Sequence, residues 1–531
     1  MKYLPLGNQN FEEIIEKDLL YVDKTQQMYD LIRNGKLYFL SRPRRFGKSL
    51  LLSKFRYLFS GRSDLFQGLH IQEQTNYDFE AYPILYFNFS SFGYKVENLK
   101  EILEVELEAY AKKFDVNINN VALGKRLFSL VEGVSKKNKA VVLLIDEYDK
   151  PITDFLTDLD KARKNQAVLK DLFSPLKDLD AQGHLRFLFI TGVSKFSKIS
   201  LFSDLNNLTD LTINHWSHDL LGITQEELLN YFSEYIDALA SHLDRAKKEL
   251  LEDIKLWYNG YAYHPDIKLY NPFSLLSFFN SRHFGNFWFA TGTPTFLVHA
   301  VRDQAIQPQE LENISVLQTF FDKHSLAFID AIGLLFQTGY LTIKSTETRK
   351  NRTKYFLGYP NEEVRLSMIY NLTEAFTYKR SSTVGSVFIK MEEGLNEGKV
   401  EIFVEQLEIL LSDISYHLLP KKKNDKRTEF EMWEGYFHTI IYLVASFMGF
   451  YVQAEITKHK GRLDLLVEAD EYLYLMEFKL EESIENAIEQ IKERQYVLAY
   501  KNSPKTIYLV GVTFSKEERN VDKWQAEVWE N

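Results

Sequence analysis

The chain contains no cysteine, which removes disulfide bonds, cysteine-ligated zinc and thiol catalysis from consideration. Proline and glycine are also scarce, with 12 and 24 residues in a chain of 531. Long disordered linkers are usually rich in such residues, so this composition argues against them. The sequence therefore predicts a chain that is folded over most of its length.

A strong excess of positive charge is missing as well, since the formal net charge is -10. A protein that wraps nucleic acid over most of its surface is usually basic, so any nucleic-acid contact here has to use local patches. The negative charge does not exclude a nuclease, because the active site of such an enzyme is itself acidic.

No apolar run is long enough to cross a membrane. The longest, Ile440 to Val452, is interrupted by Ser446 and Gly449, and a bilayer needs about 20 residues. The first residues lack the basic and then apolar pattern of a signal peptide. We interpret 440–452 as a buried helix and expect a cytoplasmic protein without membrane contact.

Short apolar runs alternate with helical patterns in the first part of the chain. Runs at 37–41, 84–89, 140–145 and 187–191 predict strands, and segments between them, such as 97–113, have helical spacing. Strands that are apolar on both faces and alternate with helices are typical of a parallel sheet covered on both sides. A length of 531 residues favours two to four domains.

The pattern changes further along the chain. Residues 220–330 are helical and aromatic, 328–343 predict a helix that runs into a strand, and 355–360 predict its hairpin partner. After helical residues 361–419, the charged stretch 420–427 is the best candidate for a domain boundary. Beyond it we predict a helix at 429–448, a hairpin at 463–478, a helix at 483–501 and a final strand at 506–513.

A phosphate-binding loop is predicted at Phe46, Gly47, Lys48 and Ser49, because a strand precedes this segment and a helix follows it. Backbone N–H groups at such a loop face phosphates, the lysine reaches the terminal phosphates of ATP, and the serine hydroxyl holds Mg²⁺. Arg42 stands where the usual pattern has its first glycine. Arg44 and Arg45 could contact phosphate or form a solvated basic edge.

A second element supports the loop. The apolar strand 141–145 ends in Asp146 and Glu147, which predicts that Asp146 binds Mg²⁺ through water and that Glu147 orients and deprotonates the attacking water. Alone, this pattern would equally fit a buried strand that leaves the core at two acids. Thr191, at the end of the strand 187–191, could sense the terminal phosphate or simply cap its strand.

The strongest catalytic pattern lies near the C-terminal end. Asp464 opens one predicted strand, and Glu477 and Lys479 lie two residues apart on the next, so they project from the same face. Two carboxylates that hold Mg²⁺ and a lysine that activates water are what phosphodiester cleavage needs. Glu434 on the preceding helix is a further candidate acid. The alternative is an ordinary amphipathic hairpin with solvated charges.

These motifs resemble a known family. The residues 21–25, RPRRFGKS at 42–49 and LIDEYD at 144–149 are similar to the AAA-ATPase-like family of bacterial proteins, as are NGY at 259–261, YNPFS at 270–274 and QTGYLTI at 337–343. GRLD at 461–464 and EFK at 477–479 resemble the PD-(D/E)XK nuclease domain that commonly closes these chains. An arginine at position 42 is usual in that family.

The resemblance implies a multidomain α/β architecture. Its parts are a P-loop ATPase domain at 1–220 with a parallel sheet, a helical and winged-helix-like region at 221–420, and a restriction-endonuclease-like α/β domain at 425–531. It implies ATP and Mg²⁺ as cofactors and DNA or RNA as partner.

Two functions of different classes compete. The first is an ATP-regulated nuclease that acts on DNA or RNA. The second is a regulatory NTPase switch whose nuclease-like end only binds a partner or nucleic acid. A winged-helix DNA-binding regulator, based on 328–360, is a weaker third, because a buried hairpin without DNA contact is the commoner explanation of such a segment. The sequence leaves open whether the chain forms a homo-oligomer.

Overall fold

The computed structural model describes residues 1–118, 122–195, 201–202, 205–214, 216–289, 295–322, 330–350, 352–412, 429–448, 451–458, 461–493, 497, 500–501 and 503–529. These residues form two compact units. The first contains Met1–Thr293 and Ile314–Val364, and the second contains Pro294–Asn313 and Arg365–Asn531. The domain boundaries at 220 and 420–425 stay predictions. The two compact units divide the chain at other residues.

The first unit is built on a parallel sheet. Its strands are β1 (Leu37–Ser41), β2 (Ile84–Asn88), β3 (Val141–Asp146), β4 (Leu185–Gly192) and β5 (Thr209–Asp210). Their order is β2-β3-β4-β1-β5, and every pairing is parallel. Every residue of β1 and β3 is buried, which confirms the prediction of strands that are apolar on both faces.

The register brings the carboxyl ends of three strands to one edge of this sheet. Ser41 of β1 pairs with Gly192 of β4, and Ile145 of β3 pairs with Ile190 of β4. Ligands of open α/β sheets bind beyond the carboxyl ends of the strands. The predicted phosphate-binding loop and the acids after β3 therefore share one edge.

Helices surround the sheet and continue beyond it within the first unit. Their bounds are α1 (Phe11–Glu16), α2 (Thr25–Asn34), α3 (Lys48–Phe59), α4 (His70–Glu73), α5 (Leu99–Lys113), α6 (Leu123–Lys137), α7 (Lys150–Thr153), α8 (Leu159–Phe173), α9 (Leu176–Ala181), α10 (Gln225–Tyr231), α11 (Ser233–His242), α12 (Lys247–Tyr258) and α13 (Pro272–Ser281). Helices α10 to α13 bury an apolar cluster of their own, as expected for an aromatic and helical region.

Two small antiparallel sheets complete the first unit. One pairs β6 (Tyr261–His264) with β7 (Ile267–Leu269), and the other has the order β8-β10-β9. Its strands are β8 (Ile314–Leu317), β9 (Thr342–Arg349) and β10 (Arg352–Gly358). The strand β9 follows the helix Ala331–Thr338 and pairs with β10, which confirms the predicted helix, strand and hairpin partner of the winged-helix-like region.

The second unit combines helices with a mixed sheet of five strands. The helices span Thr295–Asp303, Glu362–Thr377, Ser381–Asn396, Val400–Leu411, Glu429–Phe447 and Ile484–Glu493, and the second of them belongs to this unit from Arg365 onward. In chain order these six helices are α14 and α16 to α20. The label α15 belongs to the helix Ala331–Thr338 of the first unit. The strands, in spatial order, are β11 (Tyr451–Lys458), β12 (Gly461–Glu468), β13 (Tyr472–Leu480), β14 (Thr506–Ser515) and β15 (Asn520–Val528).

The prediction for the C-terminal region gave the correct types of element but missed two of the strands. The helix α19, the hairpin β12–β13 and the strand β14 are present. The last predicted strand is followed by β15, and β11 was missed because its residues 451 and 452 were assigned to a buried helix. Parallel pairing of β13 with β14 across the intervening α20 gives the sheet its mixed character.

Within the residues described above, every helix is too short or too polar to cross a bilayer.

Candidate functional site

The loop between β1 and α3 has the backbone that a phosphate-binding loop needs. Gly47 immediately precedes α3 and has a φ of 93°, a conformation that glycine adopts without the steric strain of a side chain. The free N–H groups of the first helical turn begin at Lys48 and half-buried Ser49. The positive end of the helix dipole therefore lies at this loop, where it favours an anion.

Arg42 anchors the start of the loop. Its buried guanidinium donates to the carbonyl oxygens of Thr212 at 2.7 Å and Ser217 at 3.3 Å, and lies 3.7 Å from the ring centre of Tyr263. Burial lowers the pKa of Arg42 to about 10, so the side chain stays charged at neutral pH. These contacts give a structural reason for arginine in place of the usual first glycine.

The next three loop residues have different surroundings. Phe46 is fully buried and its ring meets those of Tyr261 and Tyr263 edge-on, so only its backbone can face a phosphate. Arg44 and Arg45 are exposed. Arg45 lies over the ring of Phe273, with 5.2 Å between its guanidinium carbon and the ring centre. Phosphate contacts by Arg44 and Arg45 stay predictions.

Lys48 is, like Arg42, a buried cation at this edge of the sheet. Its ammonium donates to the carbonyl oxygens of Arg42 at 2.9 Å and Pro43 at 2.8 Å. Burial lowers the pKa of Lys48, while Glu147 and Asp146 favour its charged form. The lysine of the loop and the two acids after β3 are thus electrostatic neighbours, as the two sequence patterns together predict.

Asp146 is fixed by a polar contact with the neighbouring strand. The buried Thr191 hydroxyl donates to Asp146 Oδ1 at 2.6 Å, and the Tyr86 hydroxyl lies 3.4 Å from Asp146 Oδ2. Thr191 therefore orients the acid at the end of β3. Its proposed role as a sensor of the terminal phosphate stays a prediction.

Glu147 sits in an unusual backbone conformation. Its φ is 52°, the left-handed region that side chains rarely adopt. Burial raises the pKa of the Glu147 carboxyl, and Lys48 and Lys150 oppose this shift. Strained residues of this kind concentrate at functional sites because the surrounding structure has to hold them.

Asp149 is a buried member of this site to which the sequence analysis gave no role. It accepts hydrogen bonds from the Ser194 backbone N–H at 2.6 Å, the Ser194 hydroxyl at 2.7 Å and the Val193 N–H at 3.2 Å. The loop after β3 is thereby joined to the end of β4. The available signal was its position in LIDEYD, directly after the two predicted catalytic acids.

The second site lies in the C-terminal sheet. A cavity of about 280 Å³ is lined by side chains of α19, β12, β13 and α20. Asp464, Glu477 and Lys479 all line it, so the hairpin brings together the three residues of the predicted nuclease pattern. The Lys479 ammonium lies 3.2 Å from Glu477 Oε1.

The two carboxylates of this cavity have different surroundings. Glu477 is 1% exposed and accepts a hydrogen bond from the side-chain amide of Gln490. Asp464 is half-buried, and its Oδ2 accepts from the backbone N–H of Phe478 at 3.0 Å. The hydrogen bonds hold both carboxylates in defined orientations.

Further residues complete the cavity lining. Glu434, the predicted additional acid, is exposed on α19 and faces the cavity together with His438, one helical turn later. The sequence analysis missed His438, Glu482 and Gln490. For Gln490 the signal was its place on an amphipathic helix directly after the hairpin. Gln495 and Tyr496, which the sequence places on the predicted helix 483–501 and which could contact the site or a nucleic-acid backbone, lie outside the described residues.

The donor set suits a hard divalent cation. Mg²⁺ is usually held by one or two carboxylates together with water and phosphate oxygens, and Asp464 and Glu477 supply two such groups on one cavity wall. Among the residues that the structure describes, three or more His, Asp or Glu side chains are nowhere grouped closely enough for a complete protein-only metal site. The cavity therefore fits Mg²⁺ only with substrate or water as additional ligands.

Comparisons with known proteins match both regions. A family model described as a predicted AAA-ATPase matches residues 5–202, and the model of the PD-(D/E)XK nuclease superfamily matches residues 432–524. A protein of Azotobacter chroococcum mcd 1, described as an uncharacterized protein in the vnfD 5′ region, is 34% identical over 536 residues. The alignment covers 98% of each chain.

Proposed function

This chain belongs to the predicted AAA-ATPase family and ends in a PD-(D/E)XK nuclease superfamily domain, and from that premise we propose that it hydrolyses ATP at the first site and cleaves DNA or RNA at the second. The observation that carries the proposal is the convergence of Asp464, Glu477 and Lys479 on one cavity. In the first unit, the buried Lys48 beside Asp146 and Glu147 supports the ATPase half.

At the first site, each residue has a chemical role in the proposal. The N–H groups from Phe46 to Ser49 and the Lys48 ammonium bind and orient the β- and γ-phosphates. The Ser49 hydroxyl and, through water, Asp146 would hold Mg²⁺, and the ion would supply positive charge against the phosphates. Glu147 accepts a proton from the attacking water, and its raised pKa suits this task because a stronger base takes up the proton more readily.

At the second site, Asp464 and Glu477 would hold Mg²⁺, and the ion would supply polarisation of the scissile phosphate and a more acidic water. Lys479 lies against Glu477 and orients or activates the attacking water. Gln490 keeps Glu477 in place through its amide hydrogen bond. Glu434 is a further acid on the open side of the cavity.

One experiment tests the nuclease half of the proposal and its dependence on ATP. Purified full-length protein is incubated with Mg²⁺ or Mn²⁺ and a panel of single- and double-stranded DNA and RNA, with and without ATP. We expect cleavage by the wild type and none by Asp464→Ala. Cleavage by Asp464→Ala at the wild-type rate would show that the active site lies elsewhere.

A second function is a regulatory NTPase switch whose nuclease-like domain binds nucleic acid or a partner without cleaving it. It is favoured by one observation: among the described residues, no group of three or more His, Asp or Glu side chains could hold a metal ion without help from substrate or water. Normal ATP hydrolysis together with no cleavage under any metal and any substrate would establish this alternative.

A further inference from the structure

The phosphate-binding loop holds a residue with a side chain in a strained backbone conformation. Arg45 has a φ of 63°, in the left-handed region that residues other than glycine rarely adopt. Such a conformation has a free-energy cost and persists only where the surrounding structure holds it in place. The peptide that joins Arg44 to Arg45 therefore needs contacts from outside the loop.

The indole ring of Trp288 provides one such contact. Trp288 follows Arg44 by 244 residues and is 5% exposed, and its indole N–H donates to the Arg44 carbonyl oxygen at 2.9 Å. In a planar trans peptide, the carbonyl of one residue and the N–H of the next point in opposite directions. The bond from Trp288 therefore fixes the plane of this peptide and turns the Arg45 N–H away from the indole.

Trp288 is itself held by a buried carboxyl group. Its backbone N–H donates to Glu363 Oε1 at 2.6 Å, and the Ser274 hydroxyl donates to Glu363 Oε2 at 2.7 Å. Glu363 is fully buried. The indole packs on the rings of Tyr261 and Tyr340, with 6.2 and 5.1 Å between the ring centres. These contacts give the indole N–H a defined position against the loop.

The loop meets the same group of residues at two more points. The ring of Phe46 lies edge-on to that of Tyr261, with 5.1 Å between the ring centres. Gly339 has a φ of 92°, and a Cβ atom there would come within 2.5 Å of the Pro43 ring, so the glycine lets Pro43 lie close. Tyr261 and Gly339 belong to the motifs NGY and QTGYLTI, which have no role in the chemistry proposed above.

We propose that Trp288 is a positioning residue for nucleotide binding: its bond to the Arg44 carbonyl holds the Arg45 N–H toward the phosphates, so that Arg45 adds a backbone donor to those from Phe46 to Ser49. This role rests on the nucleotide site proposed above. A loop that is held in its binding conformation before the ligand arrives loses less conformational entropy on binding. The ligand group concerned is a phosphate, so Trp288 should contribute equally to the binding of ATP and of a polyphosphate without a base.

The test uses full-length protein with Mg²⁺, calorimetric titration of ATP and of inorganic tripolyphosphate, and steady-state ATP hydrolysis. Trp288→Phe keeps an aromatic ring and removes the donor. We expect it to weaken the binding of both ligands about fivefold, the value of one ordinary hydrogen bond. The KM for ATP should rise by the same factor and kcat should stay within about twofold, because a contact that binds substrate and transition state equally affects KM alone.

Two further variants make the result specific. Trp257→Phe, the matched control, removes an indole N–H from α12, where the ring packs on Phe284 with 5.6 Å between the ring centres, and it should bind both ligands like the wild type. Glu363→Gln keeps the size of the side chain that holds Trp288 but weakens the acceptor, so it should weaken the binding of both ligands by an equal factor of about two. If Trp288→Phe does not fold, Glu363→Gln decides by the same comparison.

The outcomes distinguish this role from the function on which it rests. Wild-type affinity for both ligands in Trp288→Phe would overturn the positioning role, as would a loss confined to ATP or a fall in kcat at unchanged KM. Equal losses in Trp257→Phe would overturn it too, because they would mark a general effect of removing an indole. A wild type that binds neither ATP nor tripolyphosphate would overturn the proposed nucleotide site, and the role of Trp288 with it.

Discussion

At the scale of single residues, Glu147 combines a strained backbone conformation with the proposed role of general base. Its left-handed backbone and its partial burial place a carboxyl with a raised pKa beside Lys48. A general base has to be close enough to water and basic enough to accept its proton. Desolvation raises the pKa of Glu147 and so makes its carboxylate basic enough.

We expect Glu147→Gln to bind ATP and to hydrolyse it at least 100-fold more slowly, since a positioned general base contributes about 10²–10⁴-fold. The amide keeps the size of the side chain but cannot accept the proton. Calorimetric ATP binding and phosphate release measure the two effects. The matched control is Glu101→Gln at an exposed position of α5, and hydrolysis by Glu147→Gln at the control rate would place the base elsewhere.

Lys54 gives a prediction about pH. Its pKa falls from 10.5 to about 7 on folding because of burial, so between those values the unfolded chain binds more protons than the folded one. The free energy of unfolding should therefore rise as pH increases from about 7 to 10.5. Below about pH 7 both states are protonated and the full cost of the buried charge is present.

Lys54→Met removes this buried charge, and we expect it to raise the stability of the first unit at about pH 6–7 by roughly 2 kcal/mol and to flatten its pH dependence. Thermal melting without nucleotide at about pH 6, 8 and 9.5 measures both effects. Lys125→Met, a control at an exposed lysine, should follow the wild type at each pH. A Lys54→Met variant with the wild-type pH dependence would contradict the burial of this amine as the cause of its lowered pKa.

At the scale of elements, the close approach of α20 to β14 positions Gln490. Gly511 lies on β14 opposite Glu477 of β13, and a Cβ atom at this glycine would come within 3.1–3.3 Å of Ala487, Ile484 and Ile488. The absence of a side chain at 511 thus lets the helix lie against the sheet. Gln490, on the same helix, reaches Glu477 for this reason.

We expect Gly511→Val to displace α20, to destabilise the second unit by about 1–3 kcal/mol through overpacking, and to reduce metal-dependent cleavage. ATP hydrolysis should not change, because both effects belong to the second unit. Melting curves and cleavage rates are the measurements. Gly93→Val is the control, since a Cβ atom there meets no other atom within 4 Å, and a Gly511→Val variant with wild-type stability and cleavage would show that the approach is unimportant.

At the scale of the whole molecule, the nuclease-like sheet is packed against helices that precede it by many residues. The buried Tyr474 hydroxyl of β13 donates to the carbonyl oxygen of Leu395 on α17, and the Asn520 amide of β15 donates to that of Glu408 on α18 at 3.2 Å. These helices belong to the second compact unit. The charged stretch 420–427, predicted as a boundary, therefore separates helices and strands that pack together in one unit.

We expect a fragment of residues 425–531 to be less stable than one of residues 365–531, because the shorter fragment leaves the buried Tyr474 hydroxyl without its acceptor and exposes apolar surface of the sheet. Circular dichroism and urea unfolding of both fragments test this. Equal stability of the two fragments would show that 381–411 adds nothing to the fold of the C-terminal domain.

The two proposed activities should also be separable in the intact chain, because their residues lie in different compact units. Glu477→Ala should abolish cleavage while phosphate release from ATP continues at the wild-type rate. Removing one of the two proposed metal-binding carboxylates removes half of the negative charge that the protein offers to the cation. Loss of ATP hydrolysis in Glu477→Ala would show that the sites depend on each other.

The sequence by itself determined the elements and motifs that depend on local order. Apolar strands, the glycine and lysine of the loop, and the spacing of Glu477 and Lys479 follow from side-chain periodicity and from neighbours in the chain. The family resemblance based on these motifs is confirmed by the comparisons. The missed strand β11 lay where one apolar run joins the end of a helix to the start of a strand, a case in which periodicity does not discriminate.

Only the tertiary structure decided which distant residues meet. The structural role of Arg42 depends on Thr212 and Ser217, that of Asp149 on Ser194, and that of Gln490 on Glu477. The burial of Lys54 likewise depends on which elements pack around it. Such contacts arise from the packing of elements far apart in the chain, and burial and hydrogen bonding, rather than local sequence, then fix the charge and orientation of each group.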